Sequence, residues 1–137
     1  MSLYVKNGTT MKVANKDIKV YKRLNIGRKG GLTSPYQGTP YYLNKMVTAK
    51  KDFAKSIMEH NFGDNSPLTY GLHAYTTKLT YGLHAYTTKQ RAFTTVHWSY
   101  EGIFEAVIPK GARYIKGLYN EILTDQLMCI KQVKHRK

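Results

Sequence analysis

Cysteine, acidic residues and long apolar runs are scarce in this chain, and each shortage narrows the class of protein. The single cysteine, Cys129, excludes an intramolecular disulfide and is typical of a reducing compartment. No apolar run reaches the ~18 residues of a membrane-spanning helix. The opening residues MSLYVKNGTT lack the apolar segment of a secretory signal, so we expect a cytoplasmic chain with no membrane partner.

The shortage of acidic residues leaves a large positive charge. The 137 residues include 22 Lys and Arg against 8 Asp and Glu, a net charge of +14. Residues 1–55 carry twelve basic and two acidic side chains, so this part is the more basic. Such a surplus attracts polyanions in a salt-sensitive manner, although it also keeps a small protein soluble. The charge predicts nucleic acid or an acidic protein surface as the partner.

Motifs that fix a reaction are absent from the sequence. The glycine-rich segment GRKGG has neither the P-loop spacing nor the spacing of a dinucleotide-binding fold. The histidines His60, His73, His84 and His97 lack the spacing of metal ligands. The acidic residues include no pair suited to general acid–base catalysis. We therefore predict a non-enzymatic protein with no catalytic residue, cofactor or metal site.

Residues 68–78 and 79–89 are a perfect tandem duplication, each reading LTYGLHAYTTK. Tyrosine and threonine favour an extended backbone. An odd repeat length would swap the two faces of any strand that ran through both copies, and the junction lacks a good turn residue. We therefore predict that one copy fills one strand of a sheet, preferably the second copy. The other copy then extends a loop or a helix.

Local patterns predict strands at both ends of the chain. Asn7-Gly8 suits a tight turn between LYVK and TTMKVA, and residues 17–24 alternate like a half-buried strand. Residues 25–43 are rich in glycine and proline, which predicts a long loop. Further strands are predicted at 101–109, 112–117 and 126–133, with a turn or one helical turn at 118–125 and a frayed basic tail at 134–137.

Two segments have helical patterns. Residues 48–60 combine a Thr48 cap, apolar residues at helical spacing and a following Gly63. Residues 87–98 are a weaker candidate, because they contain three β-branched residues in succession. The sum is an α+β fold: a single small domain over residues 1–137, with a mostly antiparallel sheet and one or two helices.

The segment GRKGG, residues 27–31, is the centre of the predicted binding surface. Its basic side chains and backbone N–H groups can surround a phosphate, and nearby tyrosines can stack on bases. The predicted anion or nucleic-acid contacts are Lys22, Arg23, Arg28, Lys29, Lys50, Lys51 and Lys55. The predicted stacking residues are Tyr36, Tyr41 and Tyr42.

The segments VYKRL, LTSPYQGTPYYL, YGLHAYTTKQRA and FEAVIPKGARYIKG, in that order, resemble small uncharacterised proteins of gut Bacteroidetes phages and prophages. The resemblance covers most of the chain and implies one α+β domain in a host cell or a phage particle. The family pattern contains one GLHAYTT, so the duplication departs from it. In such a setting, Tyr-rich edges suit a virion or assembly component, which is an alternative function.

The same order of elements is weakly similar to the ADP-ribosyltransferase-like fold. That similarity implies an NAD-binding domain, degenerate or active, with Arg23, Tyr75 or Tyr86, and Glu121 at the matching positions. The chain departs from this pattern, because Glu121 stands outside an ExE motif and no STS-like strand is evident. A transferase is therefore the third function considered.

Overall fold

The computed structural model describes residues 3–6, 10–35, 38–49, 76–79 and 83–134, which form twelve strands and one helix. The strands are β1 Leu3–Lys6, β2 Lys12–Val13, β3 Ile18–Ile26, β4 Leu32–Thr33, β5 Pro40–Tyr41, β6 Met46–Thr48, β7 Thr76–Leu79, β8 Leu83–Tyr86, β9 Glu101–Ile108, β10 Arg113–Lys116, β11 Glu121–Thr124 and β12 Gln126–Val133. The helix α1 spans Lys89–Thr94.

Ten of these strands form one sheet. Eight follow the order β2-β10-β11-β8-β3-β9-β12-β6, and β4 and β5 are attached at the end of β3. The strand pairs of this sheet are antiparallel. A separate two-stranded sheet joins β1 to β7, with Leu3 opposite Leu79. The described residues thus form a single small domain, mostly an antiparallel sheet with one short helix.

The centre of the large sheet is the β3–β9 pair, which is in register along residues 18–25 of β3. Successive side chains of a strand point to opposite faces. Val20 and Leu24 therefore enter the main hydrophobic core, whereas Tyr21 lies on the face against which Ala92 of α1 packs. The sheet separates a large core on one side from a small helix-covered cluster on the other.

The short helix α1 has caps at both ends. Thr88 is extended and its hydroxyl accepts a hydrogen bond from the Arg91 backbone N–H, which makes it the N-cap. The Thr94 and Thr95 hydroxyls each donate to a carbonyl three residues earlier in the chain, at 2.6 Å. Such back-bonding competes with helix continuation. It explains why the helix ends well before residue 98.

Several predicted elements are confirmed. The strands expected at 17–24, 101–109, 112–117 and 126–133 are β3, β9, β10 and β12. The weak helix expected at 87–98 is α1 in a shorter form. The strands among them are rich in apolar residues, and β3 and β9 are buried on both faces, so burial in the sheet defines them.

The hairpin predicted at Asn7-Gly8 is wrong. Its two arms join different partners, because β1 pairs with β7 and β2 pairs with β10. The backbone of Ala14 bonds to Ala112 and Gly111 at 2.8 Å, and Ala14 is buried in the main core. Burial at this distant contact outweighs a local turn preference. Residues 7–9 lie outside the described residues.

The long loop predicted at 25–43 contains a small hairpin. Strands β4 and β5 pair with Leu32 opposite Tyr41, and this pairing places Tyr41 in the core. The glycines of the segment and Pro35 lie outside the two short strands, whereas Pro40 is the first residue of β5. The prediction of a segment without regular structure is wrong for the four residues of β4 and β5, and also for Asn25 and Ile26, which end β3.

The turn predicted at 118–125 is correct only in its first part. Tyr119 and Asn120 both have φ of 60°, and Glu121 N donates to the Leu118 carbonyl at 3.2 Å. Positive φ at both central residues defines a two-residue turn whose twist matches a hairpin. The chain therefore reverses quickly, and the following residues form β11 instead of a helical turn.

Three predictions fall partly or wholly on residues outside the described ranges. Thr48, the expected cap of a helix over 48–60, is the last residue of β6, and the rest of that helix from residue 50 onward is not described. The tail is described only at Lys134. In the duplication, the second copy supplies β8 between β11 and β3, whereas residues 72–75 of the first copy lie outside. No helix in the described ranges has the length and apolarity to cross a membrane.

Candidate functional site

One end of the central strand pair carries two loops side by side. The Ile26 backbone N–H at the end of β3 donates to the Tyr100 carbonyl at 2.7 Å. Asn25 of β3 lies opposite Glu101, the first residue of β9. The GRKGG loop therefore leaves the sheet directly beside the segment that precedes β9.

The GRKGG loop is a tight connection between β3 and β4. The Gly27 N–H donates to the Gly31 carbonyl at 2.7 Å, and the Gly30 N–H donates to the Gly27 carbonyl at 2.9 Å. Gly30 has φ of 84°, a conformation that residues with a Cβ rarely adopt. This closure presents Arg28 and Lys29 at the exposed tip of the loop.

The segment before β9 presents two aromatic rings to solvent. Trp98 is 61 % exposed and Tyr100 is 50 % exposed. Their ring centroids are 6.2 Å apart and the ring planes are within 4° of parallel. Large aromatic rings bury much of their surface in most folded chains. Trp98 and Tyr100 are stacked on each other, and together they present exposed apolar surface that is available to a ligand.

A buried ion pair holds this aromatic segment in place. One carboxylate oxygen of Glu101 accepts from the His97 and Trp98 backbone N–H groups, both at 2.9 Å. The other oxygen lies 3.3 Å from Arg23 Nε, and the two side chains are 4 % and 6 % exposed. Arg23 also donates to the Thr95 carbonyl at the end of α1. The backbone under the rings is thus anchored at several points.

Carboxylates elsewhere in the described part of the chain already have internal partners. Asp17 accepts from the Lys110 backbone, Glu105 pairs with Lys19, Glu121 with Arg91, and Asp125 with Arg113. Among the described residues, no carboxylate pairs with Arg28 or Lys29, so the GRKGG loop contributes positive charge at this end of the sheet. Lys134 adds a third exposed cation at this end, since it follows Val133, which pairs with Ile103 of β9.

These features define a surface that we call the basic–aromatic corner. It combines three exposed cations with two exposed rings on anchored backbone. Its members are Arg28, Lys29, Trp98, Tyr100 and Lys134.

Two of the predicted anion contacts are wrong because they are buried. Lys22 is 6 % exposed. Its Nζ atom donates to the His84 carbonyl at 2.6 Å and lies 5.6 Å from the centre of the Tyr41 ring. Burial lowers the pKa of Lys22 to about 8. Arg23 is 5 % exposed and engaged by Glu101. Neither cation can reach a polyanion in solvent, and Arg23 instead supports the aromatic segment.

The other predicted contacts divide into four groups. Arg28 and Lys29 are exposed, as a surface contact requires. Tyr41 is 1 % exposed, so its prediction as a stacking residue is wrong, and burial raises the pKa of its hydroxyl. Tyr42 is exposed, but its turn bonds to β12 at Cys129, which lies opposite Ala106 and not at the corner. Tyr36, Lys50, Lys51 and Lys55 lie outside the described residues.

Trp98 and Tyr100 were missed by sequence reasoning. The weak helix predicted at 87–98 includes Trp98, so the turn that begins at this residue was not expected. A signal is available in WSYE, because two aromatic residues flank one serine just before the strand predicted at 101–109. The anchoring carboxylate of Glu101 follows directly. The buried partner of that carboxylate, Arg23, has no signature in local sequence.

The residues matched to a transferase lie around one tyrosine. Tyr86 is opposite Glu121 in the β8–β11 register, and the charges of Arg23 and Glu121 both act on its hydroxyl. Burial raises the pKa of Tyr86, opposed by a hydrogen bond with Thr95. Burial also raises the pKa of Glu121, opposed by Arg91 at 3.6 Å. Arg23 is held by Glu101, Tyr86 by Thr95 and Glu121 by Arg91, and Tyr75 lies outside the described residues.

Among the described residues, no three histidine, cysteine or acidic side chains are grouped closely enough to hold a metal ion. Comparison with protein-family models, curated proteins and solved structures produced no match.

Proposed function

We propose that this chain binds nucleic acid through the basic–aromatic corner, without catalysing a reaction. The observation that carries the proposal is the exposed parallel pair Trp98–Tyr100 beside the exposed cations Arg28 and Lys29. Nucleic acids have charged phosphates and flat bases, so a basic loop next to exposed aromatic rings can contact both.

The mechanism is phosphate neutralisation at an anchored surface. Arg28, Lys29 and Lys134 contact phosphates and release their condensed counterions, so affinity falls as salt rises. The ion pair between Arg23 and Glu101 keeps the neighbouring backbone fixed. Fixed contacts lose little conformational freedom on binding, which favours affinity.

An acidic protein surface is the competing partner. Charge alone attracts both classes, and the net charge of +14 would serve either. The aromatic pair favours nucleic acid, because bases offer a flat face for stacking. Among the described residues outside the basic–aromatic corner, the exposed tyrosines Tyr42 and Tyr119 support a virion or assembly role through Tyr-rich edges, but they belong to separate turns.

A charge-matched pair of variants tests the proposal. Arg28→Gln with Lys29→Gln removes two cations from the corner. Lys12→Gln with Lys16→Gln removes two exposed cations from β2 and the turn after it. The corner variant should bind a labelled oligonucleotide about tenfold more weakly and lower the salt slope by about 1.4, at ~0.7 per phosphate contact on a single strand. The Lys12→Gln, Lys16→Gln control should change the affinity and the salt slope much less.

Three outcomes would contradict the proposal. The first is the absence of any complex with single- or double-stranded nucleic acid in a low-salt mobility-shift titration. The second is an equal loss in both double variants, which would mean that net charge alone attracts the ligand. The third is equally tight binding of polyglutamate, which would indicate an acidic protein as the partner.

A further inference from the structure

We infer that the nucleic acid is single-stranded and that its bases stack on the Trp98–Tyr100 pair. This inference rests on the proposed function and names its ligand more narrowly. Two observations carry it: the parallel exposed rings, and the connection of their backbone to both β3 and the end of α1.

The rings need a ligand with accessible base faces. Bases inside a duplex stack on each other and present only their edges, whereas bases of a single strand expose their faces. Trp98 and Tyr100 offer an apolar surface of parallel rings, with centroids 6.2 Å apart. Aromatic rings of this kind bind single strands with little sequence preference, since every base has a π-face.

The described structure offers no groove-reading helix at this corner. Its one helix, α1, has six residues, and Ala92 within it is fully buried against the sheet. Duplex DNA is read mainly by a helix or a ribbon that enters the major groove. Loops with stacked rings and a few cations fit a single strand better.

The aromatic segment is fixed before any ligand binds. Glu101 accepts from two consecutive backbone N–H groups, and the Tyr100 carbonyl accepts from Ile26. Arg23 connects Glu101 to the Thr95 carbonyl. Because the two GRKGG cations lie next to this segment, a strand that stacks on the rings also passes its phosphates along Arg28 and Lys29.

The chain contains a single tryptophan, Trp98, so its fluorescence reports directly on the rings. The test titrates the full chain with an oligothymidine of about ten nucleotides, within the ~4–16 that one small domain covers. An abasic oligomer of equal length and charge, and a duplex of equal length, are titrated in parallel. Oligothymidine should quench Trp98 and bind about tenfold or more tightly than either comparison ligand.

Substitution of the rings separates stacking from charge. Trp98→Ala and Tyr100→Ala should each weaken oligothymidine binding by about five- to a hundredfold, measured by polarisation of a labelled strand, and leave abasic binding unchanged. Tyr42→Ala removes an equally exposed tyrosine from a different turn and should change neither. Urea unfolding of each variant establishes that the fold is intact.

The outcomes distinguish this inference from the proposal beneath it. If no polyanion binds, the proposed function fails. If the abasic oligomer binds as tightly as oligothymidine, or the duplex binds more tightly, the function stands and the stacking inference is overturned. Equal losses from Trp98→Ala and Tyr42→Ala would also overturn it.

Discussion

The two copies of LTYGLHAYTTK place the same residues in different structures. In the first copy, Thr76-Thr77-Lys78 belongs to strand β7 and pairs with β1. In the second copy, the matching Thr87-Thr88-Lys89 leaves β8 and begins helix α1, with Thr88 as the N-cap. Identical sequence therefore has no fixed structure here, and the cause must lie in the surroundings of each copy.

The residues immediately after each copy account for the difference. The first copy is followed by Leu79-Thr80-Tyr81, in which threonine and tyrosine favour extended backbone. The second is followed by Gln90-Arg91-Ala92, which are good helix formers. Ala92 is also fully buried against the sheet. In the second copy, local propensity and the burial of Ala92 both favour a helix, so Thr88 acts as its N-cap.

The middle of the second copy is the strand that the large sheet requires. Leu83, Ala85 and Tyr86 are all buried, although they point to opposite faces of β8. Leu83 and Ala85 enter the main core, and Tyr86 enters the helix-covered cluster. The position between β11 and β3 accepts one strand. Deleting either copy yields the same chain, so only substitutions can distinguish them.

The largest expected effect is a difference in the free energy of unfolding between the Ala85→Asp and Ala74→Asp variants. Ala85 is 1 % exposed in the main core. A carboxylate there is buried without a partner, which should lower the free energy of unfolding by about 3–5 kcal/mol. Ala74 is the same position of the first copy and lies outside the described residues. Urea unfolding of both variants should show a much smaller loss for Ala74→Asp.

Two results would break this comparison. A loss from Ala74→Asp as large as that from Ala85→Asp would mean that the first copy also has a buried strand. A negligible loss from Ala85→Asp, with the fold retained, would mean that the first copy had replaced the second in the sheet. An Ala85→Asn variant, which has the size of aspartate without its charge, controls for the added side-chain volume.

The next effect is a difference in pH dependence between His84 and His73. Burial, and secondarily the Lys22 charge, lower the pKa of His84 to about 3. Below the ordinary pKa of 6.5, the unfolded chain binds a proton that the folded chain rejects. Stability should therefore fall as the pH decreases from 6.5 towards 3, by about 1.4 kcal/mol for each unit of pH.

Leucine substitutions isolate this histidine. The Nε2 atom of His84 is buried and has no hydrogen-bond partner among the described residues, so His84→Leu should cost little at neutral pH. At pH 4.5 it should be more stable than the parent chain by about 2–3 kcal/mol. His73→Leu, the same change in the first copy, should retain the parent pH dependence. A parallel change in both variants would contradict the structural asymmetry.

Features that depend on neighbouring residues could be predicted from the sequence, and features that depend on distant contacts could not. Alternation along 17–24 predicted β3, and it also placed Lys22 on the apolar face with Val20 and Leu24, so its burial could have been expected. The burial of Arg23 could not, because α1 and Glu101 cover it through contacts far along the chain. The aromatic corner depends on the same contacts. A periodic pattern of burial can be predicted from neighbouring residues, whereas a site assembled from two loops that are distant in the sequence cannot.

The smallest effect is a capping difference between Thr88→Ala and Thr77→Ala. The Thr88 hydroxyl accepts from the Arg91 N–H at 3.2 Å, so its loss leaves a helix donor without this partner. Replacement of such a cap costs about 1 kcal/mol. Thr77 lies within β7, where the same substitution should cost at most about 0.5 kcal/mol. Thr88→Ser, which retains the hydroxyl, should restore most of the loss in urea unfolding. If Thr88→Ser were as destabilising as Thr88→Ala, the cap would not be what separates the two copies, and the helix formers after Lys89 would be the whole cause.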